Sequence, residues 1–172
     1  MNYKEKLKEI DTLVFDVDGV FTDNSLYILE DVQPMRKMNV KDGYALQLAV
    51  KKGYRVAIIS GGRSEAVRQR FQALGLEHIN LGAQDKISVF HRFLEETGAR
   101  PQNILYMGDD VPDIPVMKQV GLPCCPQDAT EAVKRISTYI SPIKGGEGCV
   151  RDILEQLLKL NGQWLDKDAH TW

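Results

Sequence analysis

The amino-acid sequence predicts an α/β protein with a doubly wound, Rossmann-like, mostly parallel sheet and helices on both of its faces. Two observations support this fold class. Short apolar runs, typical of buried strands, alternate with longer segments of helical periodicity. The three clearest runs are each followed by polar side chains, as at the ligand-binding edge of such a sheet. We expect one domain that spans residues 1–172.

The strands are predicted where apolar residues form a short run. The clearest runs are residues 12–15, 55–59 and 103–107, and two shorter ones lie at 78–81 and 121–124. Helical segments separate them, at residues 43–52, 64–74, 87–97, 114–120 and 129–135. The last helix has the clearest pattern, with an apolar stripe at Val150, Ile153, Leu154, Leu157 and Leu158.

One segment interrupts the alternation of strands and helices. Residues 25–40 contain two apolar stretches around a polar turn with a proline, which predicts a small β-hairpin inserted after the first strand. The spacing of the other elements leaves no room for a separate cap domain. Residues 161–172 form a polar C-terminal tail.

The composition excludes several classes of function. Lys and Arg number 22 against 24 Asp and Glu, a formal net charge of −2, which argues against a nucleic-acid partner. No apolar run approaches the ~18 residues of a membrane-spanning helix, and the polar start of the sequence lacks a signal-peptide core. Three cysteines, two of them adjacent, do not suggest a disulfide framework. We therefore expect a cytoplasmic protein with no membrane partner.

Acidic side chains follow two of the predicted strands. Asp16 and Asp18 come after the first strand, and Asp109, Asp110 and Asp113 follow another. Because parallel strands end at the same sheet edge, these carboxylates should meet, and a cation would relieve their repulsion. Oxygen ligands favour a hard divalent ion, most simply Mg²⁺. For either group alone, solvated loop aspartates are an equally good interpretation.

Two further polar residues fit a site that binds a phosphoryl group. Ser60 follows the second predicted strand, where its hydroxyl could bind a phosphoryl oxygen. Lys86 lies at the start of a predicted helix, where the positive end of the helix dipole does not stabilise a cation. Its charge does not serve helix stability and could instead offset the charge of a phosphate. Taken singly, a turn serine and a surface lysine are the simpler interpretations, but their order along the chain favours a site.

This order of motifs, Asp-x-Asp, Ser, Lys and Gly-Asp-Asp-x-x-Asp, resembles that of the haloacid dehalogenase superfamily of phosphohydrolases, in its capless subclass. The resemblance implies that Asp16 is the nucleophile that forms an aspartyl-phosphate, and that Asp18 acts as general acid and base. It also implies that Ser60 and Lys86 bind the transferring phosphoryl group. The implied Mg²⁺ site comprises Asp16, the main-chain carbonyl of Asp18 and Asp109, with Asp110 and Asp113 as outer partners.

Two other classes of protein remain open at this point. Response-regulator receiver domains also place strand-end aspartates, a hydroxyl and a lysine around Mg²⁺, but their acidic pair comes first and they lack an equivalent of Asp18. A non-catalytic oligomerisation module is the second alternative. Such members of the superfamily usually lack the nucleophile, whereas Asp16 is present here.

Two further segments, residues 39–44 and 145–152, resemble the octulosonate 8-phosphate phosphatases, a tetrameric family in lipopolysaccharide core-sugar biosynthesis. The resemblance implies a small phosphorylated keto-sugar acid as substrate. It also implies a homotetramer in which a neighbouring subunit completes the site, through the hairpin and the C-terminal segment. Phosphatases of the nine-carbon keto-acid 9-phosphates, of KDN or N-acetylneuraminate, are the alternative. Arg63 and Arg70 are candidates to bind the substrate carboxylate, which arginine matches bidentately.

Overall fold

A computed structural model describes residues 2–171, so positions 1 and 172 of the expected domain and tail lie outside the described residues. The strands are β1 (Thr12–Phe15), β2 (Arg55–Ser60), β3 (His78–Leu81), β4 (Ile104–Met107), β5 (Leu122–Cys125) and β6 (Tyr139–Ile140). They form one parallel sheet in the order β3-β2-β1-β4-β5-β6. The predicted doubly wound parallel sheet is therefore confirmed.

Helices cover both faces of this sheet. They are α1 (Tyr3–Lys8), α2 (Val40–Lys51), α3 (Glu65–Ala73), α4 (Lys86–Thr97), α5 (Ile114–Met117), α6 (Glu131–Ile136) and α7 (Cys149–Leu160). Alternate strand residues face opposite layers, as the pleat requires. Leu13 and Phe15 pack with α2, α3 and α7, whereas Val14 packs with α4, α5 and α6. Two buried apolar layers thus hold the strand ends in place.

The segment predicted as a hairpin is less regular than the sequence suggested. A single antiparallel bridge joins Tyr27 to Met35, through two hydrogen bonds of 3.1 Å, and no longer ladder forms among the described residues. Most of its apolar side chains remain outside the core, with Ile28 75% exposed, whereas Met38 is partly buried against it. Two short elements also differ from expectation. Strand β6 and helix α1 were not predicted, since two and six residues carry too little pattern.

The C-terminal tail packs on α2 of the same chain. Lys52 binds the carboxylates of Asp166 and Asp168, and the Tyr44 hydroxyl donates to the carbonyl of Ala169. The Arg151 guanidinium lies 4.4 Å from the centre of the Trp164 ring. These contacts join the described part of the tail, residues 161–171, to α2 and α7 of its own chain. Across residues 2–171, the helices are too short or too polar to cross a membrane.

A buried aspartate joins α2 to the start of α7. Asp42 is fully buried, and one carboxylate oxygen accepts the amide of Arg151 at 2.6 Å. The other oxygen has no hydrogen-bond partner among the described residues. Burial raises the pKa of Asp42 from 3.8 to about 6, although the Arg151 amide and charge oppose the shift. Because its pKa is raised, the Asp42 carboxyl binds a proton more tightly in the folded state than in the unfolded state. Its protonation therefore stabilises the fold fully below about pH 4, and this contribution is lost as the pH rises through about 6.

We expect Asp42→Asn to increase the free energy of unfolding by about 1–2 kcal/mol at pH 7.5. The side-chain oxygen of the introduced asparagine can still accept the hydrogen bond from the backbone amide of Arg151, and the neutral side chain removes the cost of burying a charge. The gain should vanish near pH 4, where the native carboxyl is already protonated. Urea unfolding at the two pH values measures it, with Asp31→Asn as an exposed control. A loss of stability at both pH values would contradict the prediction.

Candidate active site

The acidic residues predicted from the sequence meet at the carboxyl edge of the sheet. Asp16 follows β1, and Asp109 lies two residues beyond β4, the neighbouring strand. Ser60 ends β2, on the other side of β1. These residues line one cavity of about 370 Å³ together with Asp18, Lys86, Asp110 and Asp113. The fold therefore brings the predicted acidic, hydroxyl and lysine groups to one place.

Lys86 connects two of the buried carboxylates. Its ammonium lies 2.9 Å from Oδ2 of Asp16 and 2.7 Å from Oδ1 of Asp113, and all three side chains are less than one tenth exposed. Burial disfavours the charge on Lys86, but the two carboxylates outweigh this effect and raise its pKa. The lysine is therefore a fixed positive charge beside the Asp16 carboxylate, and not a surface side chain.

Asp113 organises this part of the site. Its Oδ1 accepts the Tyr106 hydroxyl at 2.6 Å in addition to Lys86. Its Oδ2 accepts the backbone amides of Asp109 and Asp110, at 3.0 and 3.3 Å. From the sequence, Asp113 is predicted to be an outer partner of the metal site, and the structure shows in addition that it holds Lys86 and the loop after β4.

The site fits a divalent cation. Oxygen atoms of Asp16, Asp109 and Asp113 lie within 4.8 Å of one another. Oδ1 of Asp16 is buried without a hydrogen-bond partner among the described residues, so one oxygen is free for another ligand. Burial and the neighbouring Asp113 raise the pKa of Asp16 to about 7, although Lys86 lowers it. Burial likewise raises the pKa of Asp109 to about 6. A cation would offset this excess of negative charge.

The other predicted site residues are placed less centrally. Ser60 is buried and its hydroxyl accepts the amide of Gly62 at 3.3 Å, which leaves the hydroxyl proton available to a ligand. Asp110 is exposed and accepts the amide of Val111 at 2.7 Å, so it caps the short turn that follows. Its carboxylate is not part of the buried acidic cluster.

The two arginines proposed for the substrate carboxylate lie outside the residues that line this cavity. Arg63 packs over Gly82, so closely that a Cβ atom at Gly82 would lie 2.7 Å from Nε of Arg63. Arg70 lines a second cavity, between the hairpin segment and α3. The structure therefore separates Arg70 from the phosphoryl site and leaves Arg63 near its rim, since Ala83 follows Gly82 and lines the cavity.

Three side chains in the site had no signal in the sequence. Asn24 donates to Oδ2 of Asp109 at 2.9 Å. In the sequence, Tyr106 is indistinguishable from the other residues of the apolar run that forms β4, yet its hydroxyl donates a hydrogen bond to Asp113. Arg36, in the hairpin segment, forms an ion pair with Asp18 at 2.7 Å. Each contact depends on the folded geometry, so spacing along the chain could not indicate it.

The glycine-rich segment before α7 packs beneath the loop that carries Asp18. The Gly146 amide donates to the carbonyl of Val20 at 2.9 Å. A Cβ atom at Gly145 would lie 2.0 Å from the carbonyl oxygen of Gly19, so only glycine permits this approach. In this chain, the segment therefore supports its own active-site loop.

We expect Lys86→Met to lower the free energy of unfolding by about 3 kcal/mol at pH 8, because two buried carboxylates would lose their shared counter-charge. The loss should be smaller at pH 5, where protonation of a carboxyl relieves the repulsion. Thermal unfolding at the two pH values measures both effects. Lys118→Met, at an exposed position, should change stability by no more than about 0.5 kcal/mol. Equal losses from the two variants would rule out this role of Lys86.

Comparison with known proteins agrees with this geometry. Residues 38–121 match the family model described as haloacid dehalogenase-like hydrolase. The 3-deoxy-D-manno-octulosonate 8-phosphate phosphatase KdsC of Escherichia coli strain K12 is 35% identical over 158 residues, which cover 92% of this chain and 84% of that protein.

Two solved structures are similar over almost the whole fold. A probable YrbI family phosphatase from Pseudomonas syringae has a TM-score of 0.91 at 36% identity, covering 97% of this chain and 94% of that chain. The 3-deoxy-D-manno-octulosonate 8-phosphate phosphatase of Moraxella catarrhalis, solved with a magnesium ion, a phosphate ion and KDO, has a TM-score of 0.88 at 30% identity. That match covers 91% of this chain and 90% of that chain.

The carboxylates and buried lysine at the carboxyl edge of the parallel sheet, together with the matches to the hydrolase family model and to KdsC, place the chain in the class of phosphoric monoester hydrolases. More particularly, the chain belongs to the haloacid dehalogenase-like hydrolases, in the family of the 3-deoxy-D-manno-octulosonate 8-phosphate phosphatases.

Proposed function

We propose that this chain is a Mg²⁺-dependent phosphatase that hydrolyses 3-deoxy-D-manno-octulosonate 8-phosphate, in lipopolysaccharide core-sugar biosynthesis. The observation that carries the proposal is the buried contact of Lys86 with Asp16 beside a cavity of about 370 Å³. The identity of the substrate is supported by relatives, one of which was solved with magnesium, phosphate and KDO. The products would be the free keto-sugar acid and phosphate, and residues 1–172 would act as one domain.

In the first step, an oxygen of Asp16 attacks phosphorus and the bond from phosphorus to the sugar oxygen breaks. Asp18 gives its proton to the departing oxygen, so the sugar leaves as an alcohol. Lys86 and the Ser60 hydroxyl bind the oxygens of the transferring phosphoryl group. Lys86 is already fixed beside Asp16, and this contact costs no reorganisation during the reaction.

In the second step, Asp18 takes a proton from water as the water oxygen attacks phosphorus, and the bond to Asp16 breaks to release phosphate. The residues that would hold Mg²⁺ are the carboxylates of Asp16 and Asp109 and the main-chain carbonyl of Asp18. When bound, Mg²⁺ supplies positive charge that neutralises the phosphoryl oxygens. Asp113 keeps Lys86 in position throughout.

The proposed substrate is tested by phosphate release from a panel of esters in the presence of Mg²⁺. The panel contains the eight-carbon keto-acid 8-phosphate, the 9-phosphates of KDN and N-acetylneuraminate, and glucose 6-phosphate. We expect kcat/KM to be at least about tenfold higher for the eight-carbon substrate. Preference for a nine-carbon substrate would support the alternative, and no release from any ester would support the non-catalytic module.

We also propose that Arg63 contacts the substrate carboxylate from the rim of the site. The same panel tests this with Arg63→Ala, which should raise KM for the keto-acid phosphate and leave p-nitrophenyl phosphate almost unaffected. A lost charge-assisted hydrogen bond costs about 1.5–3 kcal/mol, or roughly 10- to 150-fold. Arg70→Ala is the matched comparison, because Arg70 lines the neighbouring cavity. Equal losses on both esters would assign Arg63 to structure.

We propose that the chain forms a homotetramer through the exposed apolar side chains of its hairpin segment. The exposed apolar side chains of this segment are Leu26, Tyr27, Ile28, Leu29, Val32 and Met35, and each is 44% to 75% exposed. A cluster of this kind is unusual on a monomer and typical of an interface. A neighbouring subunit there would cover the open site. The three cysteines are buried and free, which supports a reducing, cytoplasmic compartment.

We expect Ile28→Glu to convert the assembly to smaller species and to lower kcat/KM, because the charge would be buried at the interface. Light scattering measures the mass, and phosphate release measures the activity. Ile140→Glu, an exposed position on the edge strand β6, is the control that should leave the mass unchanged. A fully active monomer, for either the parent or the Ile28 variant, would rule out the proposed assembly.

A further inference from the structure

The hairpin segment supplies a guanidinium directly to Asp18. Nε of Arg36 donates to Oδ1 of Asp18 at 2.7 Å, and Nη2 donates to Oδ2 at 3.0 Å. Both oxygens of the carboxylate are thus held by one planar group, which fixes its rotation as well as its position. The Arg36 side chain is only 10% exposed, so this is a partly buried contact and not a surface ion pair.

The loop after β2 leaves space for this contact. A Cβ atom at Gly62 would lie 2.9 Å from Nη2 of Arg36 and 3.1 Å from Oδ2 of Asp18. A side chain at position 62 would therefore press on the pair from the cavity side. The second glycine of the Ser60-Gly61-Gly62-Arg63 sequence permits Asp18 and Arg36 to pair beside the phosphoryl site.

Arg36 also ties this pair to the conformation of the hairpin segment. It follows Met35, whose backbone forms the single bridge with Tyr27. Its Nη1 group lies 3.4 Å from the carbonyl oxygen of Pro34. The Asp18 carboxylate is therefore linked, through Arg36, to the backbone of the hairpin segment.

We propose that Arg36, from the hairpin segment, is a positioning residue that orients Asp18 for proton transfer. The proposal rests on the proposed phosphatase function and on the two hydrogen bonds between Arg36 and Asp18. Arginine does not give up a proton in proteins, so Arg36 acts through Asp18. When Asp18 is protonated for transfer to the leaving oxygen, one of its two hydrogen bonds with Arg36 breaks. The other hydrogen bond keeps the carboxyl group in place.

The dependence of the rate on the leaving group tests this proposal. An alkoxide needs a proton in order to leave, whereas p-nitrophenolate does not, so only alkyl esters depend strongly on Asp18. The readout is kcat/KM, which reports transfer of the phosphoryl group to Asp16. Arg36→Gln should lower it about 10- to 100-fold for alkyl phosphates, part of the 10²–10⁴-fold typical of general acid–base catalysis. The loss for p-nitrophenyl phosphate should stay below about threefold.

Four further variants make the result specific. Asp18→Asn should show the same pattern more strongly, and adding Arg36→Gln to it should cause less than about a twofold further loss, since the two residues act as a unit. Arg36→Lys keeps the positive charge but loses the planar guanidinium that pairs with both carboxylate oxygens. Its activity on alkyl phosphates should therefore lie between that of Arg36→Gln and that of the parent protein. Lys37→Gln removes the adjacent charge, which is 62% exposed and pairs with Asp23, and should leave both rates unchanged.

The outcomes separate this proposal from the proposed function. If Asp18→Asn leaves the leaving-group pattern unchanged, the proposed mechanism itself fails. If Asp18→Asn changes the pattern and Arg36→Gln lowers all esters equally through KM, Arg36 binds phosphate or stabilises the fold, and only the positioning role is overturned. Should Arg36→Gln fail to fold, as judged by thermal unfolding, Arg36→Lys gives the same comparison.

Discussion

Asp16→Asn is expected to abolish phosphate release while the fold remains intact. The amide is a far weaker nucleophile than the carboxylate, and it cannot form the aspartyl-phosphate. Stability should change little, because Asn fills the same volume and removes a buried charge whose pKa is already raised to about 7. Lys86 keeps its contact with Asp113 at 2.7 Å.

Steady-state phosphate release and thermal unfolding measure these two expectations, and acid-quenched reactions measure the aspartyl-phosphate. Asp11→Asn is the matched control, since Asp11 precedes β1 whereas Asp16 follows it. The control should keep full activity. A loss smaller than about 10³-fold for Asp16→Asn would overturn covalent catalysis at this position.

The fold was predictable where burial is uniform. The run Thr12–Phe15 is buried at every position, and Ile104–Met107 is likewise buried throughout, so each appears in the sequence as an unbroken apolar run. The hairpin segment carries similar residues without a core to cover them, and its apolar pattern therefore overstated its strand content. Such residues favour an interface as readily as a strand, and the sequence does not distinguish the two.

The site was predictable in so far as it follows strand ends. Asp16, Ser60 and Asp109 were found because a parallel sheet brings its carboxyl ends to one edge. Side-chain networks were not predictable, since Tyr106 and Arg36 act through contacts that only the fold creates. Asp113 was predicted as an outer partner of the metal because its acidic type was visible in the sequence, whereas its four hydrogen-bond donors were not visible there.

Removal of divalent cations is expected to stop the reaction completely. Among residues 2–171, Lys86 is the one positively charged side chain that pairs with the carboxylates of Asp16 and Asp113. Oδ1 of Asp16 has no hydrogen-bond partner among these residues. Addition of Mg²⁺ to the chelated protein should restore activity. It should also raise the melting temperature, because ligand that binds only the folded state stabilises it. Asp109→Asn should weaken this thermal shift, which does not depend on turnover.

Calcium provides the sharper comparison, since it should raise the melting temperature without restoring activity. Mg²⁺ enforces six short contacts in an octahedral arrangement, at about 2.0–2.1 Å, whereas Ca²⁺ takes six to eight oxygens at about 2.3–2.6 Å. The larger ion would accommodate both oxygens of Asp16, which would leave no oxygen free to attack phosphorus. Phosphate release and thermal unfolding, each measured with excess EDTA, Mg²⁺ or Ca²⁺, test the expectation. Full activity in EDTA, or equal rates with the two ions, would contradict the assignment of this carboxylate cluster to a catalytic Mg²⁺ site.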